Sequence, residues 1–182
     1  VNILPGSIYE RSSENNKVYN TSVVIDDTGS IISKYRKINL FKAVINGKEV
    51  DESATYEAGR HAVTCKIKNF KVGLSICFDL RFPELYRNYF NEKVDLIVVP
   101  SSFTMRTGKL HWETLLKARA IENYCYVLAP NQCGRDGNGI ETYGHSLAIG
   151  PQGNILGILD SYDEDILSVS LDLRTMHKTA KP

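Results

Sequence analysis

Apolar residues along this chain fall mostly into short alternating or continuous runs, with two stretches of helical period between them. In "KVYNTSVVIDDTGSIISKYRKI", the runs Tyr19 to Ile25 and Ile31 to Tyr35 are rich in β-branched and aromatic residues, and "DDTG" between them is turn chemistry. That pattern predicts a hairpin. "HAVTCKI" and "FKVGLSIC", separated by "KNF", predict a second one. Residues 42 to 61 are polar, carry Gly47 and Gly59, and show no clear period, so they read as a long loop of the kind that is often functional. Past Cys77, "RFPELYRNYF" has a helical period, with Pro83 tolerated in the first turn. "VDLIVVPSS" predicts a strand bounded by Pro100. "KLHWETLLKARAIENY" predicts the clearest helix, with Trp112, Leu115, Leu116 and Ile121 near one face. "CYVLAPNQCG" predicts a strand, "HSLAIGPQGNILGIL" a hairpin about "PQGN", and the alternating "DILSVSLDL" a closing strand. Hairpins mixed with β-α-β-α-β order predict an α/β layered architecture with mixed sheets.

Composition narrows the class. The chain has 182 residues, 42% of them hydrophobic and 24% charged, which suits one globular domain with a sizeable core. A net charge of +1 gives no electrostatic reason to expect nucleic acid or an anionic membrane surface. No run approaches the roughly 18 apolar residues of a spanning helix. The four cysteines, Cys65, Cys77, Cys125 and Cys133, form no CxxC pair and are too sparse for a disulfide scaffold, so a reducing, cytoplasmic setting without a metal is expected. The chain starts at Val1, and "VNILPGS" reads like the middle of a fold, so a longer protein is expected to supply an N-terminal part.

Three residues carry candidate chemistry. Cys77 ends the strand of "GLSICFDLRFPELY" where a helix-like segment begins. A buried cysteine is usually a small hydrophobe. At a strand-to-helix corner, however, the first free N–H groups of the helix lower a thiol pKa and can serve an oxyanion. Lys37 follows the first hairpin in "SKYRKINLF"; it is either a solvated charge or an inward cation that stabilises a thiolate and then an oxyanion. Glu52 lies in the polar loop, either as a surface carboxylate or as an acceptor that positions a lysine or a substrate amine.

"YRKINLF", "GLSICFDLRFPELYR", "SSFTMRTGKLHWETLLKARAIENYCYV" and "YGHSLAIGPQGNIL", in this order and spacing, resemble the nitrilase superfamily of carbon–nitrogen hydrolases, and most of all its Nit-type amidases. The resemblance implies an αββα sandwich, here N-terminally incomplete, spanning residues 1–182 as a single domain without the family's first strand and helices. It places the family's nucleophile on Cys77, its lysine on Lys37 and an auxiliary glutamate on Glu52, with the Phe78 N–H helping to bind the oxyanion. It implies no cofactor and pairing into a homodimer or higher homo-oligomer, with helix 110–124 a candidate contact. It further implies a small amide substrate, an ω-amide or a deaminated-glutathione-like molecule, cleaved to acid and ammonia through a thioester. The family's general-base glutamate lies upstream of "GSIYER"; Glu10 occupies a position to which the family pattern gives no catalytic role.

Other residues are read more locally. Arg81 and Glu84 fit an i, i+3 ion pair, with substrate contact by Arg81 the second reading. The loop "SSFTMRTG" follows a strand end, where ligand loops collect; Phe103 and Thr104 are candidate pocket residues and Arg106 a candidate carboxylate partner. His111 and Trp112 read as capping or core. His145 in "YGHS" leaves a Cys–His protease open on composition, although Lys37 and Glu52 favour the amidase. An inactive family member acting as an interaction protein, and an acyl-transfer enzyme in which an amine replaces water, also remain as alternatives. Cys65, Cys125 and Cys133 read as inert.

Overall fold

The alternating runs become strands of two principal sheets, and the helical runs cover one face of the larger sheet. The computed structural model describes residues 1–13, 16–45, 47–137, 139–160 and 163–178. In chain order, β1 (Ser7–Arg11), β2 (Val18–Ile25) and β3 (Ile31–Arg36) form an antiparallel three-stranded sheet. A small hairpin of β4 (Lys42–Ile45) and β5 (Lys48–Asp51) follows. Then come β6 (Val63–Ile67), β7 (Phe70–Leu74), α1 (Pro83–Asn91), β8 (Leu96–Val98), α2 (Met105–Asn123) and β9 (Tyr126–Ala129). The chain continues through β10 (Cys133–Arg135), β11 (Glu141–Tyr143), β12 (Leu147–Ile149), β13 (Ile155–Ile158) and the short α3 (Leu173–Lys178).

The six-stranded sheet has the order β13-β12-β9-β8-β7-β6, with β7, β8 and β9 parallel and the outer pairs antiparallel. β8 sits in the middle, so Leu96, Ile97 and Val98 are all buried, as a parallel strand covered on both faces requires. One hydrophobic core joins Val24 and Tyr35 of the small sheet, Val72, Leu74 and Ile97 of the large sheet, and Leu85, Tyr89, Trp112 and Leu116 of the helices. The Tyr89 ring lies on the Cα of Gly73, where a Cβ would come within 2.9 Å of it, and its hydroxyl donates to the Leu74 carbonyl. β3 packs against β6, so the layers run helices, large sheet, small sheet. The α/β class and the mixed strand directions agree with the sequence pattern.

Three local expectations differ. Residues 42–51 are a hairpin, not loop: Lys42 pairs with Asp51 at 2.8 Å and Glu49 at 3.1 Å across it. Only the stretch from the 3-10 turn Glu52–Ala54 onward is irregular. "DILSVSLDL" forms no ladder; Leu167, Val169 and Leu171 are half-buried while Ile166, Ser168 and Ser170 are exposed, so the alternation marks an extended segment lying on the body without a partner strand among the described residues. On α2 the buried stripe is Trp112, Leu116, Ala120 and Asn123, while Ile121 is 50% exposed, a 3.6-residue period displaced from the expected face.

Leu116 is fully buried in the core. Leu116→Ala is expected to cost about 2–5 kcal/mol of stability, measured as a lower urea midpoint at unchanged slope.

Candidate active site

The corner after β7 is sharper than a plain strand-to-helix junction. Ser75 and Ile76 continue extended, and Cys77–Arg81 form a 3-10 turn before α1 starts at Pro83. Cys77 itself adopts φ 47°, the left-handed region that a side chain enters only when its surroundings impose it. Its N–H donates to the Pro100 carbonyl at 3.0 Å, which ties the corner to the end of the β8 segment. The Phe78 N–H stands at the second position of the turn, where a helix start leaves donors unused.

Lys37 lies one residue past β3 and is held by its backbone on both sides: its N–H donates to Asn20 O at 2.8 Å and its carbonyl accepts from Gly59 N at 2.7 Å. Gly59 is required there, since a Cβ would sit 2.1 Å from Arg36 O. The Lys37 side chain is 2% exposed, and its Nζ meets Glu52 Oε2 at 2.6 Å. The same oxygen accepts the Phe41 N–H at 2.6 Å, and Glu52 N returns a bond to Phe41 O at 2.9 Å. Lys37, Glu52 and Cys77 line one cavity of about 1300 Å³. Burial pushes the Cys77 thiol above its ordinary pKa of 9.0. The Lys37 charge and a hydrogen bond from Ser102 N–H pull it down; Glu52 and Asp79 push it up. The resting thiol is therefore neutral at pH 7 and needs a base.

The remaining candidates divide. Phe78 lies edge-on between Phe41 and Phe82, with ring centroids 5.2 and 5.4 Å away, and lines the cavity. Phe103 is buried against Trp112 at 4.8 Å, its N–H held by Asn131 Oδ1 at 3.0 Å, and Thr104 caps α2; both line the cavity. Arg106 does not: it is exposed on the first turn of α2. The second cation in the cavity wall, besides Lys37, is Arg81, over the Phe78 and Phe103 rings at 5.7 and 5.4 Å, donating to His111 Nδ1 at 3.2 Å. Arg81 has no carboxylate partner among the described residues, so the expected pair with Glu84 does not form. Trp112 is core, as expected, and its indole N–H donates to His145 O at 2.9 Å. His145 bonds Tyr143 O at 2.7 Å through Nδ1, stacks on the Tyr143 ring at 4.0 Å, and lines a different cavity. Among the described residues no three His, Cys, Asp or Glu side chains gather to hold a metal.

A family model described as carbon-nitrogen hydrolase matches residues 1–181. The chain belongs to the carbon-nitrogen hydrolase family. Relatives of this hydrolase chain include the deaminated glutathione amidase of Dictyostelium discoideum, 41% identical over 92% of the chain, and the omega-amidase of Saccharomyces cerevisiae, 34% identical over 93%. The chain spans 59% and 58% of those relatives' lengths. The crystal structure of the C. elegans NitFhit protein superimposes with a TM-score of 0.82 at 36% identity, covering 89% of this chain and 40% of that one. The helices, large sheet and small sheet described above match three layers of the nitrilase-like αββα sandwich.

Glu10, left out of catalysis on sequence grounds, has a structural job. It accepts from Arg36 at 2.9 and 3.0 Å, Thr21 at 2.8 Å and Lys34 at 3.3 Å, and the Arg36 bond chiefly holds its pKa down to about 2 from 4.5. A depressed carboxylate stabilises the fold above its unfolded pKa, and that contribution is lost as pH falls from about 4.5 to about 2. Glu10→Gln is expected to flatten the stability profile in that window and to leave Cys77 labelling unchanged, measured by denaturant titrations at stepped pH.

Proposed function

We propose that the protein hydrolyses a small linear amide bearing a carboxylate, an ω-amide or a deaminated-glutathione-like molecule, to acid and ammonia through a thioester on Cys77. The observation that carries this is a single cavity holding a neutral, half-buried thiol on a strained corner, the enclosed Lys37–Glu52 pair, and the Arg81 guanidinium without a carboxylate partner among the described residues. The printed names of the relatives supply the substrate class.

In the reaction, a general base takes the Cys77 proton, and the sulfur attacks the amide carbon. Lys37 Nζ and the Phe78 N–H stabilise the oxyanion that forms. The protonated base gives its proton to the leaving ammonia, which departs as the C–N bond breaks. Water, deprotonated by the same base, then cleaves the thioester, and the proton returns to sulfur. Of the carboxylates lining the cavity, Glu52 is bound to Lys37, Glu49 and Asp51 to Lys42, and Asp136 Oδ1 accepts the Ile140 N–H; the family resemblance puts the general base upstream of "GSIYER", and we assign the base to that glutamate. Phe103 and Thr104 shape the pocket, and Arg81, rather than Arg106, receives the substrate carboxylate. The reaction as written uses no cofactor. We place the enzyme in the cytoplasm, in keeping with four cysteines that form no disulfide among the described residues, and as a homodimer, in keeping with Leu110 and Ile121 exposed on α2. No described helix is long and apolar enough to cross a membrane.

Ammonia release from glutaramate, the monoamide of glutaric acid, tests the proposal in the full-length protein without an added acyl acceptor. Cys77→Ala is expected to abolish release by at least about 1000-fold. Arg81→Met is expected to raise KM for glutaramate roughly 10–100-fold with kcat little changed, and to leave butyramide unaffected, as loss of one charge-assisted contact requires. Release that survives Cys77→Ala contradicts the nucleophile; acid formed only with an added amine points to acyl transfer.

A further inference from the structure

The nucleophile and its lysine stand on different sheets. Lys37 follows the small sheet and Cys77 follows the large one, and no ladder joins the two among the described residues. Forty residues of chain separate them in sequence, so something other than strand pairing has to set how they face each other. We infer that Asp79 is the positioning residue that does this, a role that rests on the catalytic pairing of Lys37 with Cys77 proposed above.

Asp79 is fully buried. Its Oδ2 accepts from the Tyr35 hydroxyl at 2.7 Å and from Ile76 N at 2.9 Å. Its Oδ1 accepts from Asn39 N and Asn39 Nδ2, both at 2.9 Å. Tyr35 and Asn39 lie two residues before and two after Lys37; Ile76 immediately precedes Cys77, and Asp79 follows it by two. One carboxylate thus ties both flanks of the lysine to both flanks of the thiol. The Ile76 bond also caps the turn that holds Cys77 at positive φ.

The chemistry of the site selects a carboxylate. Burying one costs several kcal/mol in order of magnitude, and an apolar side chain would fill the same space without that cost. Only a group with two acceptor oxygens and no donor can receive four N–H and O–H bonds at once. An asparagine at this position turns one oxygen into an NH₂, which then faces either the Ile76 N–H or the two Asn39 donors. The charge of Asp79 works against ionisation of the thiol, so electrostatics alone gives no reason to keep it behind the nucleophile.

The test is a double-mutant cycle in the full-length protein, read as the rate of iodoacetamide labelling of the Cys77 peptide by mass spectrometry at pH 8, with melting curves for each variant. Labelling follows the thiolate fraction, so Lys37→Met in the wild-type background is expected to slow it about tenfold, the equivalent of one pKa unit. With Asp79→Asn in place, the same Lys37 substitution is expected to change the rate by less than about threefold. A purely fold-supporting Asp79 would lower the melting temperature and leave the tenfold Lys37 effect intact, which overturns the inference. If Asp79→Asn shows no cooperative melting, Tyr35→Phe takes its place: it removes one of the four donors and keeps the ring, and the Lys37 effect is expected to shrink to about threefold, whereas an undiminished effect overturns the inference. A Lys37 substitution without effect in the wild type overturns the Lys37–Cys77 pairing itself, which separates failure of that reading from failure of the role given to Asp79.

Discussion

Enclosing the Lys37 ammonium is the constraint on which the site depends. A cation only 2% exposed has given up nearly all its water, and the 2.6 Å contact to Glu52 is what compensates. Much of the local structure follows from that pair. Glu52 must reach inward, so the Glu52–Ala54 turn doubles back and the Phe41 and Glu52 backbones bond each other in both directions. The carbonyl of Lys37 must be met, so the chain at Gly59 comes close enough to exclude any side chain. The hairpin of β4 and β5 closes the intervening sequence. A lysine fixed this way keeps one direction for its charge, and that direction is toward the cavity that Cys77 enters from the other sheet.

The thiol is poised by opposed influences. Burial, Glu52 and Asp79 keep it protonated; Lys37 and the Ser102 N–H favour the thiolate. In the proposed reaction such a thiol is quiet until a base takes its proton, and the preorganised cation then stabilises first the thiolate and afterwards the oxyanion. The aromatic wall of Phe41, Phe78 and Phe103 lowers the local polarity around these groups and supports the Arg81 guanidinium from two sides. The cavity wall thus carries the Cys77, Lys37 and Glu52 group together with the Arg81 guanidinium, to which the proposed reaction assigns the amide and the carboxylate of one substrate.

Much of this was legible in the sequence, for physical reasons. Strands and helices with a clean period, such as Tyr19 to Ile25 and the helix carrying Trp112 and Leu116, bury one face and so write that face into the residue order. Cys77, Lys37 and Glu52 stand out because the sequence blocks around them resemble a known family, and the structure brings all three to one cavity. What was missed depended on partners remote in sequence. Arg81 reads locally as half of an i, i+3 pair with Glu84, but its surroundings are Phe78, Phe103 and His111, the latter two brought in by another segment. Arg106 is well placed along the chain, but its position on α2 leaves it exposed. Asp79 looks like an ordinary helix-start acid, and only the fold reveals donors 40 and 44 residues away. The hairpin at 42–51 carried a readable signal in Gly47, at φ 78°, which the surrounding charges obscured.

Passage of an acyl group through the Cys77 sulfur is the central step of the proposed reaction. The direct measurement is acid quenching of the full-length protein during turnover of glutaramate, followed by peptide mass mapping. The account predicts an added glutaryl mass on the peptide containing Cys77, removed by hydroxylamine as a thioester is. Steady turnover with no acyl mass on that peptide, or with the mass on Cys65 or Cys133, would contradict it.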